Sequence, residues 1–212
     1  MAIQAMAIQT MAIQAMGGGV TGSGETAMIG VAISIPEPAA TIIDEARSSS
    51  GDPLASFIPA HITLLGPTEI DASLFAAVHH HLGVVAARHA PYPVHLRGTG
   101  TFRPLTEVVF VAVAAGISEC ERLASAIRSG PLDREMHFPY HPHVTIAHDV
   151  PTEALDRVYA EMSGFDTRFE VDHFTFYVHG SDGRWRPLRD FPLRGAIATS
   201  SARVDRRSGQ KS

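Results

Sequence analysis

The chain carries one polar signature twice, in opposite halves: His61-Ile62-Thr63 within PAHITLLGP (59–67) and His143-Val144-Thr145 within YHPHVTIAH (140–148). Each tripeptide sits in a short apolar run of the kind that forms a strand. On a strand successive side chains alternate faces, so His61 and Thr63 share one face while Ile62 and Leu64 take the other. The same rule puts His143 and Thr145 together, opposite Val144 and Ile146. A proline stands within two residues before each histidine, Pro59 and Pro142. An imidazole and a hydroxyl therefore project side by side, twice, from strands whose opposite faces suit a core.

The remaining text is organised around these two strands. IGVAISI (29–35) reads as a buried strand that stops at Pro36-Glu37-Pro38, followed by a helix over 40–47 and a Ser/Gly/Asp loop over 48–52. HITLL (61–65) is closed by Gly66-Pro67. Asp71 or Ser73 caps a helix to about Arg88, and Val94–Thr101 and Val108–Val113 read as strands joined through Arg103-Pro104-Leu105-Thr106. A helix from Ser118 to about Arg128, the strand 143–148, a helix 152–162 capped by Thr152 and one long strand 169–179 complete the pattern. The order holds two similar halves. It predicts an α+β duplication whose pseudo-two-fold arrangement brings both tripeptides to a shared groove. Residues 1–16 repeat MAIQA with a period of five that fits neither helix nor strand, so 1–27 reads as a flexible low-complexity tail. The folded domain is expected over 28–193, with 194–212 as a flexible C-terminal tail.

Composition narrows the function classes. Hydrophobic residues are 45% and charged residues 18% of the 212, which suits a packed domain rather than a disordered chain. The formal net charge of −5 gives no general attraction to nucleic-acid backbone, so an RNA substrate would have to be held by a few placed groups. The single cysteine, Cys120, forms no disulfide within the chain and suits a reducing compartment. No run reaches the roughly eighteen apolar residues of a membrane helix, and the N-terminus lacks the layout of a secretory signal. The expected location is cytoplasmic, with no membrane association and no obligate protein partner.

Two histidines supply what phosphodiester cleavage needs: a neutral imidazole takes the proton of an attacking water, and an imidazolium donates to the leaving oxygen. The hydroxyls of Thr63 and Thr145 can donate to the non-bridging phosphate oxygens. This chemistry needs no carboxylate cluster, metal or cofactor. It implies a bell-shaped pH profile with an optimum near neutrality.

On PAHITLLGP and YHPHVTIAH the sequence resembles the 2H phosphoesterase superfamily, in its LigT-like branch of 2′-5′ RNA ligases and 2′,3′-cyclic phosphodiesterases. The resemblance implies a bilobal α+β fold, two antiparallel-rich sheets flanking a central cleft with helices outside. It also implies metal-independent hydrolysis of 2′,3′-cyclic phosphates or 2′-5′ linkages in nucleotides or short RNA, with reverse ligation as an associated activity. In that family the motif histidines are acid and base in either order; here His61 is read as donor and His143 as acceptor, with Thr63 and Thr145 on the phosphate.

Secondary candidates lie near the second motif. Phe102 could stack a base and Arg103 meet a phosphate, or they could be a core ring and a solvated cation. Tyr140 could line the cleft or simply pack, and Trp185 could be a base platform or an anchor of the last strand. Two rival functions stay open. One is a non-catalytic protein that binds a nucleotide or RNA end. The other is a zinc hydrolase using His141, His143 and a third ligand such as His61; the run His79-His80-His81 splays around its helix and cannot converge on one ion.

Overall fold

The computed structural model describes residues 26–134 and 139–196. The expectations for the N-terminal repeat and for the chain after 196 lie outside the described residues. The elements are β1 (Thr26–Ser34), α1 (Ala39–Ser50), β2 (His61–Asp71), a 3-10 turn (Ala72–Leu74), α2 (Phe75–Arg88), β3 (Tyr92–Thr101), β4 (Val108–Ala115), α3 (Ile117–Ile127), a second 3-10 turn (Gly130–Leu132), β5 (His143–His148), α4 (Thr152–Glu161), β6 (Asp166–Val171), β7 (His173–His179) and β8 (Trp185–Pro192). They form two four-stranded sheets, β2-β1-β7-β8 and β5-β4-β3-β6, antiparallel throughout.

The two-lobed α+β expectation holds, and the lobes are interlocked. The helix that connects β1 to β2, α1, packs on β5 of the other sheet, while α3, which connects β4 to β5, packs on β2. One hydrophobic core runs through both lobes. It takes Ile29, Val31 and Ile33 from β1 and Val109, Val111 and Val113 from β4. The alternate residues of those strands face away from it.

Several element boundaries differ from the sequence reading. α1 runs through Ser48, Ser49 and Ser50, whose hydroxyls donate back to the carbonyls of Asp44, Ala46 and Arg47. It ends at Gly51, whose φ of 83° suits glycine. β2 passes through Gly66-Pro67 because it is an edge strand, and its register against β1 shifts there, with Ile29 opposite Thr68 and Val31 opposite Leu65. Thr152 is not a cap. Pro151 precedes the helix in an extended conformation and its carbonyl accepts from Ala154 and Leu155.

The long C-terminal strand is two strands in different sheets. β6 pairs with β3 and β7 with β1, and the chain crosses between lobes at Asp172. β8 has no counterpart in the sequence reading. The boundaries of the tails move as well. Thr26 and Ala27 belong to β1, opposite Asp71 and Ile70, and the backbone N–H groups of Arg194 and Gly195 donate to Ala86 and His89 at the end of α2.

Candidate active site

Each tripeptide opens an edge strand, β2 in one sheet and β5 in the other, and these two edges lie against each other. Ile62 and Val144 point into the core with no exposure. His61 and Thr63 lie opposite Ser34 and Ala32 of β1, and His143 and Thr145 opposite Ala112 and Phe110 of β4. Since directly paired residues share a face, both tripeptides look out over the coreless faces of their sheets. The four side chains are half-buried. The structure thus brings His61, Thr63, His143 and Thr145 to one junction.

The two histidines are held in the same way. Nδ1 of His61 lies 2.8 Å from the carbonyl of Pro59, and Nδ1 of His143 lies 2.8 Å from the carbonyl of His141. A carbonyl only accepts, so Nδ1 carries the proton and Nε2 of each neutral ring keeps its lone pair. The proline near each histidine shapes this turn: Pro59 provides the acceptor itself, and Pro142 restricts His141 to extended backbone. Neither threonine hydroxyl has a hydrogen-bond partner among the described residues, so both are available to a ligand.

Burial is the main force on both rings and pushes each down from 6.5 to about 4. The carbonyl hydrogen bonds act against it. The charges of Arg47 and His143 lower His61 further, and that of His141 lowers His143. Both are neutral in the free protein at pH 7.

Phe102 and Phe110 enclose His143. The Phe102 ring stands perpendicular to the imidazole with centroids 5.0 Å apart, and Phe110 lies 5.2 Å away. Phe110 is absent from the sequence-derived candidates because only the β4–β5 register reveals its facing. Its ring lies over Gly100, where a Cβ would come within 2.5 Å of it. Gly100→Ala is therefore expected to push Phe110 off its seat beside His143. Overpacking of this kind costs about 1–3 kcal/mol, read by urea unfolding; an unchanged midpoint would show that the ring has another resting place.

The other candidates are placed less directly. The Tyr140 hydroxyl donates to the Thr63 carbonyl at 2.8 Å, tying the approach to β5 onto β2, with Arg128 stacked on its ring. Arg103 is engaged by Asp156 of α4 at 2.7 Å and by the Thr101 hydroxyl. Trp185 opens β8 and packs near His179 and Gly30. The triple histidine splays as expected, His79 lying among Phe75, Phe176 and Phe191 and His81 reaching the Ile127 carbonyl. Among the described residues no three His, Cys, Asp or Glu side chains converge as a metal site, and no helix is long and apolar enough to cross a membrane.

A second residue beyond the sequence-derived candidates is Arg47. It is 4% exposed and donates to Asp52 at 3.3 Å and to the Ile58 carbonyl at 2.7 Å. The next residue, Pro59, provides the carbonyl that holds His61, so Arg47 fixes the loop on which the histidine depends.

Fold and motif define a class: two antiparallel sheets whose adjoining edge strands each present a His-x-Thr pair. The chain belongs to the 2′-5′ RNA ligase superfamily, whose family model matches residues 35–183, both tripeptides included. The Oceanobacillus iheyensis protein named "Putative phosphoesterase OB1230" is 29% identical over 170 residues, which cover 77% of this chain and 96% of that one. The apo crystal structure of E. coli LigT is similar with a TM-score of 0.58 at 24% identity, covering 80% of this chain and 98% of that one. The crystal structure of TT0787 from Thermus thermophilus is similar with a TM-score of 0.53 at 25% identity, covering 80% and 100%. The fold is LigT-like.

Proposed function

We propose that the chain is a metal-independent phosphodiesterase that hydrolyses 2′,3′-cyclic phosphates or 2′-5′ linkages of nucleotides or short RNA. The observation that carries this reading is the pair of histidines, each anchored through Nδ1 on a carbonyl two residues back and each beside an unpartnered threonine hydroxyl. One neutral ring takes the proton of water as its oxygen bonds to phosphorus. The other ring, protonated, donates to the ribose oxygen as the P–O bond breaks. Thr63 and Thr145 donate to the non-bridging oxygens. With a 5′-hydroxyl in place of water, the same proton transfers open a 2′,3′-cyclic phosphate to a 2′-5′ linkage, the 3′ oxygen leaving with the donated proton.

The two rings are lowered alike, to about 4, so the order read from the sequence is kept, with His61 as donor and His143 as acceptor. The lowered proton affinities also move the pH optimum away from neutrality. The singly protonated pair is most populated near pH 4 and thins by about tenfold per pH unit above it. kcat/KM is expected to decline from mildly acidic pH towards pH 8, with the kcat optimum at higher pH because the bound phosphate anion favours the imidazolium. A kcat/KM that rises up to pH 9 would contradict this.

E. coli LigT has been crystallised with 3′-AMP and with ATP, which makes adenosine compounds the first substrates to try. Wild-type protein is expected to convert 2′,3′-cyclic AMP or a 2′-5′ adenylate dinucleotide to products with a new phosphomonoester or hydroxyl end. No turnover of either by folded protein would sink the reading, and nucleotide binding without turnover would make it a nucleotide-binding protein instead.

A further inference from the structure

The coreless face of the second sheet continues past the histidine. Next to His143 comes Ala112 on β4, with Ala114 further along on the same face. Beyond them lie His95 and Arg97 on β3, paired with Arg168 and Asp166 on β6. Val94 and Leu96 belong to the core, so His95 and Arg97 face the same side as His143. From β5 to β3 is two strand spacings of about 4.8 Å, roughly 10 Å across the alanines.

This far strip carries two arginines, with Asp166 between them and Glu170 further along the same face of β6. Arg97 and Arg168 share the single carboxylate of Asp166 at 3.6 and 3.9 Å, and Nε2 of His95 lies 3.0 Å from the same group. The arginine side chains are 70% and 71% exposed. Exposed pairs at these distances bind weakly and exchange readily for a better anion. Alanine side chains of β4 separate Arg97 from the histidine, and Arg168 stands one strand further out, beside His95.

We propose that Arg97 and Arg168 form a second anion site that takes a phosphate of short single-stranded RNA while its terminal phosphate lies at the histidine pair. The proposal rests on the phosphodiesterase reading of that pair, and it makes an oligonucleotide end, rather than a mononucleotide, the preferred substrate. A net charge of −5 is no obstacle, because the cations are placed along the path instead of spread over the surface.

The test compares a 2′,3′-cyclic mononucleotide with a trinucleotide ending in the same cyclic phosphate, using wild type and the double variant Arg97→Ala/Arg168→Ala. Wild type is expected to favour the trinucleotide in kcat/KM, and the double variant to lose about tenfold of that preference. The slope of log affinity against log salt for the trinucleotide should fall by about 0.7 for each arginine removed. A 5′-phosphorylated cyclic mononucleotide separates a terminal phosphate from an internal diester; discrimination against it but not the trinucleotide assigns the diester. If wild type turns over nothing, trinucleotide binding by fluorescence anisotropy reads the strip alone. An unchanged preference, or in that case unchanged affinity and salt slope, overturns the proposal.

Discussion

Replacing His61 or His143 with alanine is expected to lower hydrolysis of a 2′,3′-cyclic nucleotide by about 10²-fold or more, with the circular dichroism spectrum unchanged. The size follows from the chemistry: without the acceptor, water must attack with its proton in place, and without the donor, an alkoxide must leave unprotonated. The fold tolerates the loss because both rings lie on the coreless faces of edge strands, while Ile62 and Val144 hold those strands from behind. A variant that keeps wild-type turnover would remove that ring from the reaction.

The second large effect is on stability. Arg47→Met would leave the Asp52 carboxylate, 1% exposed, without its cation. Breaking a buried pair from one side costs about 3–5 kcal/mol. The double variant Arg47→Met/Asp52→Asn should recover much of that loss, because Asp52 also accepts from the Leu54 backbone N–H at 2.8 Å and an amide oxygen can keep this bond. Activity should stay low in the double variant, since the Ile58 carbonyl has still lost the guanidinium that places the loop before His61. Urea titration and turnover separate the two outcomes. Equal stability of wild type and Arg47→Met would show that the pair is solvated in solution.

The strand carrying each tripeptide is legible in the sequence because its apolar alternation is local and unbroken. The face chosen by His61 and Thr63 follows from the same alternation, and the pairing with Ser34 and Ala32 agrees with it. The split of 166–179 is not legible. Asp172 continues the alternation of Asp166, Arg168 and Glu170, and the crossing to the other sheet depends on β1 and β3, far away in the chain. β8 escapes for the opposite reason: RWRPLRDF carries three arginines, an aspartate and a proline, a composition that suits an exposed edge strand but gives no apolar period.

Site residues follow the same division. Phe102 is marked by its place next to a strand end, and it stands against His143. Arg103 and Tyr140 are marked by chemistry alone, and their partners, Asp156 and the Thr63 carbonyl, are set by tertiary packing. Arg47 reads like any solvated helix cation. Its burial comes from the return of the 52–60 loop over the end of α1, which no local pattern encodes.

The central claim is that His61 and His143 act as one acid–base unit without a metal. The most direct measurement is kcat/KM for a 2′,3′-cyclic nucleotide in the presence of EDTA for wild type, His61→Ala, His143→Ala and the double variant. Residues that work as a unit lose almost everything at the first substitution, so the predicted result is chelator-resistant wild-type turnover, two slow single variants and a double variant no slower than the slower single. Losses that multiply in the double variant, or wild-type activity abolished by EDTA, would contradict the claim.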